Sequence, residues 1–122
     1  MNQALVIALF GAFGALSRFY VVQMVNAWFG PDFPLGTLAV NVAGSFVIGV
    51  VYVLFVEKLA VAPVWRVGFI VGFLGAFTTF SAFSLDTIRL LESSEFLRAG
   101  LNVMVNVMLC LCVTWLGIRL AR

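Results

Sequence analysis

The residues best suited to chemistry lie in one apolar segment, between Gly72 and Ser84. This stretch holds two glycines, two threonines and two serines among phenylalanine, leucine and alanine. In hydrocarbon every backbone polar group needs an internal partner, so a regular helix is the default. Glycine weakens a helix, and threonine and serine side chains compete for its backbone hydrogen bonds. We therefore predict a helix break near residues 75–79, at the functional centre of the protein.

Two phenylalanines accompany the predicted break, and their spacing limits the chemistry. Phe80 and Phe83 are three residues apart, so they share one face of a helix. Hydroxyl and amide donors beside positive phenylalanine ring edges favour an anion, whereas exposed carbonyls at a break favour a cation. Ordinary packing is the alternative interpretation of the two rings. Neutral groups of this kind suit passive permeation.

Catalytic machinery is missing from the sequence. The chain has no histidine, and Lys58 lies in a loop far from the break. No glycine-rich phosphate loop with its lysine occurs. Asp86 is the one acid within a span and lies toward its end, which disfavours proton coupling. Cys110 and Cys112 are two apart on a predicted helix, so they point to different faces and do not favour a metal site. We predict that the protein is not an enzyme.

The composition predicts an all-α integral membrane protein. The 122 residues are 64% hydrophobic and 10% charged, with a mean hydropathy of +1.18. A soluble domain of this size has too little interior to hide so much apolar surface. Because a span needs about 20 apolar residues, we predict one membrane domain with four spans, at about 3–25, 36–56, 64–91 and 96–116. The net charge of +2 is scattered and does not indicate nucleic-acid binding.

Several polar side chains interrupt these spans. Arg18 either snorkels to the interface or serves a site. Asn41 either belongs to a site or makes an interhelical hydrogen bond, worth on the order of 1 kcal/mol. The fourth span carries a polar stripe that recurs every four residues: Asn102, Asn106, Cys110 and Thr114.

The distribution of basic residues gives almost no orientation preference. One side of a four-span chain would carry Lys58, Arg66, Arg119 and Arg122. The other side would carry Arg89 and Arg98, with Arg18 if it snorkels. This balance fits a chain that inserts both ways, and equally an ordinary chain with a weak signal. Four short helices cannot easily enclose a sealed pore, so we expect assembly.

Three motifs in order resemble those of the Fluc (CrcB) family of small fluoride channels, across essentially the whole chain. They are Gly11-x-x-Gly14-Ala15-x-x-Arg18, then Pro34-x-Gly36-Thr37-Leu38-x-Val40-Asn41-x-x-Gly44-Ser45-Phe46, then Gly72-Phe73-x-Gly75-x-x-Thr78-Thr79-Phe80-Ser81-x-Phe83-Ser84.

The resemblance implies dual-topology chains that form antiparallel homodimers with two fluoride pores. It implies a structural sodium ion at the dimer centre, bound by the backbone carbonyls of Gly75 and Thr78. The implied role is passive export of cytoplasmic fluoride, by a multi-pass protein of the bacterial inner membrane. The positions that match pore-associated or polar family residues are Asn41, Phe80, Phe83, Ser81, Thr79, Asn106, Thr114 and Arg18. Cys110 stands where the family often has serine, and Asp86 where it usually has glutamate.

Two other classes of protein remain as alternatives. A small multidrug-type exporter also has four spans and dual topology, but that resemblance would predict a carboxylate in the middle of the first span, which has none. A non-transporting assembly protein would use its glycine faces for packing alone. Such a protein would not need the polar stripe on the fourth span.

Overall fold

Four long apolar helical segments make up the fold in the computed structural model, which describes residues 2–122. The helices are α1 (Gln3–Phe29), α2 (Leu35–Lys58), α3 (63–77), α4 (Phe80–Glu92) and α5 (Phe96–Ala121). Helices α3 and α4 together form the third segment, Pro63–Glu92. The described residues contain no strand. The prediction of an all-α chain with four helices able to cross a membrane is confirmed.

Local sequence signals account for the helix ends. The Asn2 side chain accepts a hydrogen bond from Ala4 N at 2.7 Å and so caps α1. Gly30 ends the same helix with a positive φ of 82°, a conformation that glycine adopts without steric cost. Pro63 begins α3 in the first turn, where its missing N–H would have had no partner.

Glycines set the closest helix contacts. A Cβ at Gly14 would collide with the backbone of Phe73, so α1 approaches α3 closely there. In the same way, a Cβ at Gly49 would collide with the carbonyl of Thr114, which joins α2 to α5. Small residues permit such approach between membrane helices. The first-span glycines therefore pack against the third span.

Three segments widen into π-helix: Val53–Lys58, Gly68–Leu74 and Val105–Leu109. Many large apolar side chains are exposed on the outside of the helix bundle, as Phe13 is at 67%. Arg122 pairs with Glu57 at 2.6 Å, so the ends of α2 and α5 lie together. That hydrogen bond raises the pKa of the Arg122 guanidinium above its ordinary value.

Candidate functional site: a groove at the break of the third span

The break consists of two extended residues between α3 and α4. Thr78 has φ −90° and ψ 159°, and Thr79 has φ −151° and ψ 115°. The Thr78 hydroxyl donates to Leu74 O at 3.0 Å, within the last turn of α3. The Thr79 hydroxyl accepts from Ala82 N at 3.1 Å and so caps α4. The predicted break near residues 75–79 therefore lies at Thr78 and Thr79.

Gly75 lies before the break rather than in it. Its angles, φ −61° and ψ −37°, are those of an ordinary right-handed helix. Gly75 therefore makes no use of the backbone angles that are open to glycine alone. Within residues 2–122, no backbone or side-chain hydrogen bond outside the helices reaches the carbonyls of Gly75 or Thr78. Both carbonyls therefore keep their acceptor capacity.

Asn41 of α2 holds the break by bonding both backbone groups of Thr79. Its Oδ1 accepts from Thr79 N at 2.7 Å, and its Nδ2 donates to Thr79 O at 3.1 Å. The amide thereby gives the Thr79 N–H and carbonyl the hydrogen-bond partners that the interrupted helix cannot provide. Buried backbone groups require such partners. Asn41 Nδ2 also donates to Asn106 Oδ1 on α5 at 3.1 Å. Both N–H groups of Asn41 are thus used within the protein.

The broken span borders an open groove of about 440 Å³ that α2, α3, α4 and α5 line together. The predicted site residues that line it are Asn41, Gly75, Thr78, Thr79, Phe80, Phe83, Asn106 and Thr114. Phe80 is 76% exposed and Phe83 8%, and their ring centroids lie 5.2 Å apart. The groove thus combines one exposed phenylalanine ring with neutral polar groups.

Hydroxyls and a thiol supply the remaining donors. Thr79 Oγ1 and Ser81 Oγ lie 3.3 Å apart, so this pair has one hydroxyl proton that their mutual bond does not use. Thr114 instead donates to Ser45 O at 2.7 Å. Cys110 is half-buried and lines the groove. The donors left to a ligand here are chiefly a hydroxyl and phenylalanine ring edges.

A second cavity, of about 620 Å³, is lined by Thr37 and Asp86, which lie one helical turn from Asn41 and Phe83 along their helices. Thr37 Oγ1 donates to Asp86 Oδ2 there at 2.9 Å. Arg89 and Arg98 also line it. We name this cavity the vestibule. The sequence did not single out the pairing of Thr37 with Asp86, because it depends on the relative rotation of two helices.

The structure does not bring every predicted site residue to the groove. Ser81 is exposed and does not line the groove, although its hydroxyl lies 3.3 Å from that of Thr79, which does. Arg18 is half-buried on α1, and it lines neither the groove nor the vestibule. Its role in a pore stays a prediction.

The fold and the groove define a class: a small four-span membrane protein whose third span is broken beside paired phenylalanines. The family model described as CrcB-like protein, Camphor Resistance (CrcB), matches residues 5–118. The chain belongs to the CrcB-like family, and it is a multi-pass membrane protein.

Similar proteins carry the name fluoride-specific ion channel FluC, which describes a channel rather than an enzyme. The one from Methylococcus capsulatus is 50% identical over all of this chain, which spans 54% of that relative's length. The one from Geotalea uraniireducens is 49% identical, with 100% of this chain and 98% of the relative covered. The one from Vibrio campbellii is 46% identical over 93% of this chain and 90% of the relative.

Proposed function

We propose that this protein is a fluoride channel that lets fluoride leave the cytoplasm passively across the bacterial inner membrane. One observation carries the proposal: Asn41 bonds both backbone groups of Thr79 and so holds the third span open beside Phe80 and Phe83. The names of the relatives point to the same ion.

The groove has the chemistry that a small anion needs. The ring edges of Phe80 and Phe83 carry partial positive charge, and the hydroxyl pair of Thr79 and Ser81 has a donor to give. In a low-dielectric setting such partial charges act more strongly than in water. None is a full charge, so an anion can bind and also leave, as conduction requires.

The proposed path also includes Asn106, Thr114 and Arg18. Asn106 orients Asn41 through its side-chain oxygen, and Thr114 ties α5 to α2. Arg18 would act from outside the groove of its own chain, so a second chain is needed to bring it near a path.

We further propose that two chains assemble as an antiparallel homodimer with two pores. The groove is open in a single chain, and the Phe80 ring beside it is exposed, so a channel needs a second protein surface to enclose both. A second copy inserted in the opposite orientation would provide it. The balanced basic residues of the loops allow both orientations.

The same dimer would hold a structural sodium ion at its centre. The carbonyls of Gly75 and Thr78 fit this role, since neither accepts a hydrogen bond outside the helices within the described residues, and Gly75 is exposed. Carbonyls freed at a broken span commonly bind small cations. When bound, the ion would supply a fixed positive charge near the grooves and stabilise the dimer.

Fluoride efflux from liposomes tests the channel proposal. Liposomes that carry the purified protein should release loaded fluoride once a potassium ionophore balances the charge, and protein-free liposomes should not. Release no faster than from protein-free liposomes would contradict the proposal.

Dual topology predicts labelling from both sides of the membrane. In a Cys110→Ser/Cys112→Ser background, Leu59→Cys places one thiol in the exposed second loop. A membrane-impermeant maleimide should label about half of the chains in intact cells, and all of them after permeabilisation, because the charge balance favours neither orientation. Complete labelling, or none, in intact cells would show a single orientation and remove the antiparallel dimer.

A further inference from the structure

A continuous hydrogen-bonded path leads from the groove into the interior of the helix bundle. It runs through Asn41, Asn106, Asn102 and Thr87, which we name the polar relay. Asn106 Nδ2 donates to Asn102 Oδ1 at 3.0 Å and to Asn102 O at 2.8 Å. Asn102 Nδ2 donates to Thr87 Oγ1 at 3.0 Å, and the Thr87 hydroxyl donates to Phe83 O at 2.8 Å. The relay therefore connects α2, α5 and α4.

Every bond in the relay points the same way. Asn106 and Asn102 each accept at Oδ1 from one relay neighbour and donate at Nδ2 to the next. Reversing the Asn106 amide would set its Nδ2 against the donating Nδ2 of Asn41, and its oxygen against the oxygens of Asn102. Because Asn102 is 0% exposed and Asn106 is only 6% exposed, water has little access to repair such a mismatch.

Both ends of the relay meet the same half-helix. At one end Asn41 bonds the backbone of Thr79, which caps α4. At the other end Thr87 bonds the carbonyl of Phe83, one turn into α4. The relay thus sets the position of α4, and with it Phe80 and Phe83, relative to α2 and α5.

We propose that Asn102 and Thr87 are positioning residues for anion conduction, although neither lines the groove. They hold the Asn106 amide in one orientation, which in turn fixes the Asn41 amide at the break. This inference rests on the proposed channel function and adds two residues that would act from behind the path.

The first test compares two variants of Thr87. Thr87→Val keeps the shape of the side chain but removes the hydroxyl that accepts from Asn102. Thr87→Ser keeps the hydroxyl. Fluoride flux per folded dimer should fall about tenfold in Thr87→Val, and Thr87→Ser should retain most of it. A purely structural role would lower the yield of folded dimer and leave the flux per folded dimer unchanged, and that result would overturn the inference.

Coupling between the two residues gives the second test. Once Asn102→Leu has removed the connecting amide, adding Thr87→Val should cause little further loss of flux. Losses that multiply would mean that the two residues act independently, which contradicts a relay. If the wild-type protein conducts and Thr87→Val conducts equally, this inference fails alone. If the wild type passes no fluoride, the channel proposal fails, and this inference fails with it.

A measurement on the wild type needs no folded variant. The side-chain amide protons of Asn102 and Asn106 that take part in the relay should exchange slowly with deuterium, because both residues are buried and each donates a hydrogen bond within the protein. Exchange as fast as that of the exposed Asn2 side chain would overturn the relay.

Discussion

Asn41→Leu should lower fluoride flux per dimer by at least about tenfold. The leucine removes three hydrogen bonds and leaves the Thr79 N–H, the Thr79 carbonyl and the Asn106 side-chain oxygen without their partner. A buried polar group without a partner costs about 1–3 kcal/mol, and each 1.4 kcal/mol or so corresponds to a factor of ten. Nothing else in the described residues bonds the Thr79 N–H, so the break should lose its geometry.

The measurement is initial fluoride efflux, scaled to the amount of dimer on a sizing column. Ala43→Leu is the matched control, because Ala43 is exposed on the same helix and does not line the groove. Asn41→Asp should fall between the wild type and Asn41→Leu, since a carboxylate still accepts from Thr79 N but has no N–H for Thr79 O. Full flux in Asn41→Leu would show that the amide does not hold the path.

Gly75→Val should abolish both the sodium-dependent stability of the dimer and the fluoride flux. In a single chain a Cβ at Gly75 would meet only Ile70 O, at 3.8 Å, and the residue is exposed. The chain itself can therefore accommodate a side chain there. The predicted loss comes from the proposed ion and the second chain, because valine would crowd the carbonyls that face them.

Dimer dissociation, measured in sodium and in a large organic cation, checks this prediction. An ion present at 100 times its dissociation constant stabilises by about 2.7 kcal/mol, and Gly75→Val should lose that difference. Gly100→Val is the matched control, since a Cβ at Gly100 meets nothing within 4 Å. Thr78→Ser should have a smaller effect, because the proposed ligand is its carbonyl. If dissociation were independent of sodium and Gly75→Val conducted normally, the central ion would not exist.

The number of spans and the region of the break were predictable because they depend on local composition. Twenty-residue apolar runs predict spans, and glycine beside threonine and serine predicts a weak helix. The exact residues of the break were not predictable, because they depend on a hydrogen bond from Asn41, which lies on another helix. Asn41 accepts from Thr79 N, the group that would otherwise bond Gly75 O. The helical pattern is therefore interrupted after Gly75, whose own backbone angles stay helical.

Which groups bond one another within the site depends on how the helices are rotated and shifted relative to each other. The sequence alone does not reveal this register. The four-residue recurrence indicated a polar stripe on the fourth span, but not that Thr114 would bond Ser45 O. That bond follows from the close approach that Gly49 permits. Asn102 belonged to the predicted stripe, yet its bond to Thr87 crosses a loop between two helices. Thr87 gave no sequence signal at all.

Ion selectivity is the most direct test of the account, and a reversal potential measures it. Planar bilayers that contain the purified protein should face fluoride on one side and an equal concentration of chloride on the other. Because the groove offers phenylalanine edges and a hydroxyl rather than a full charge, we expect fluoride alone to carry current. The current should then show no reversal within the accessible voltage range. A reversal at zero voltage would mean that chloride passes as readily as fluoride, and it would contradict the proposed channel.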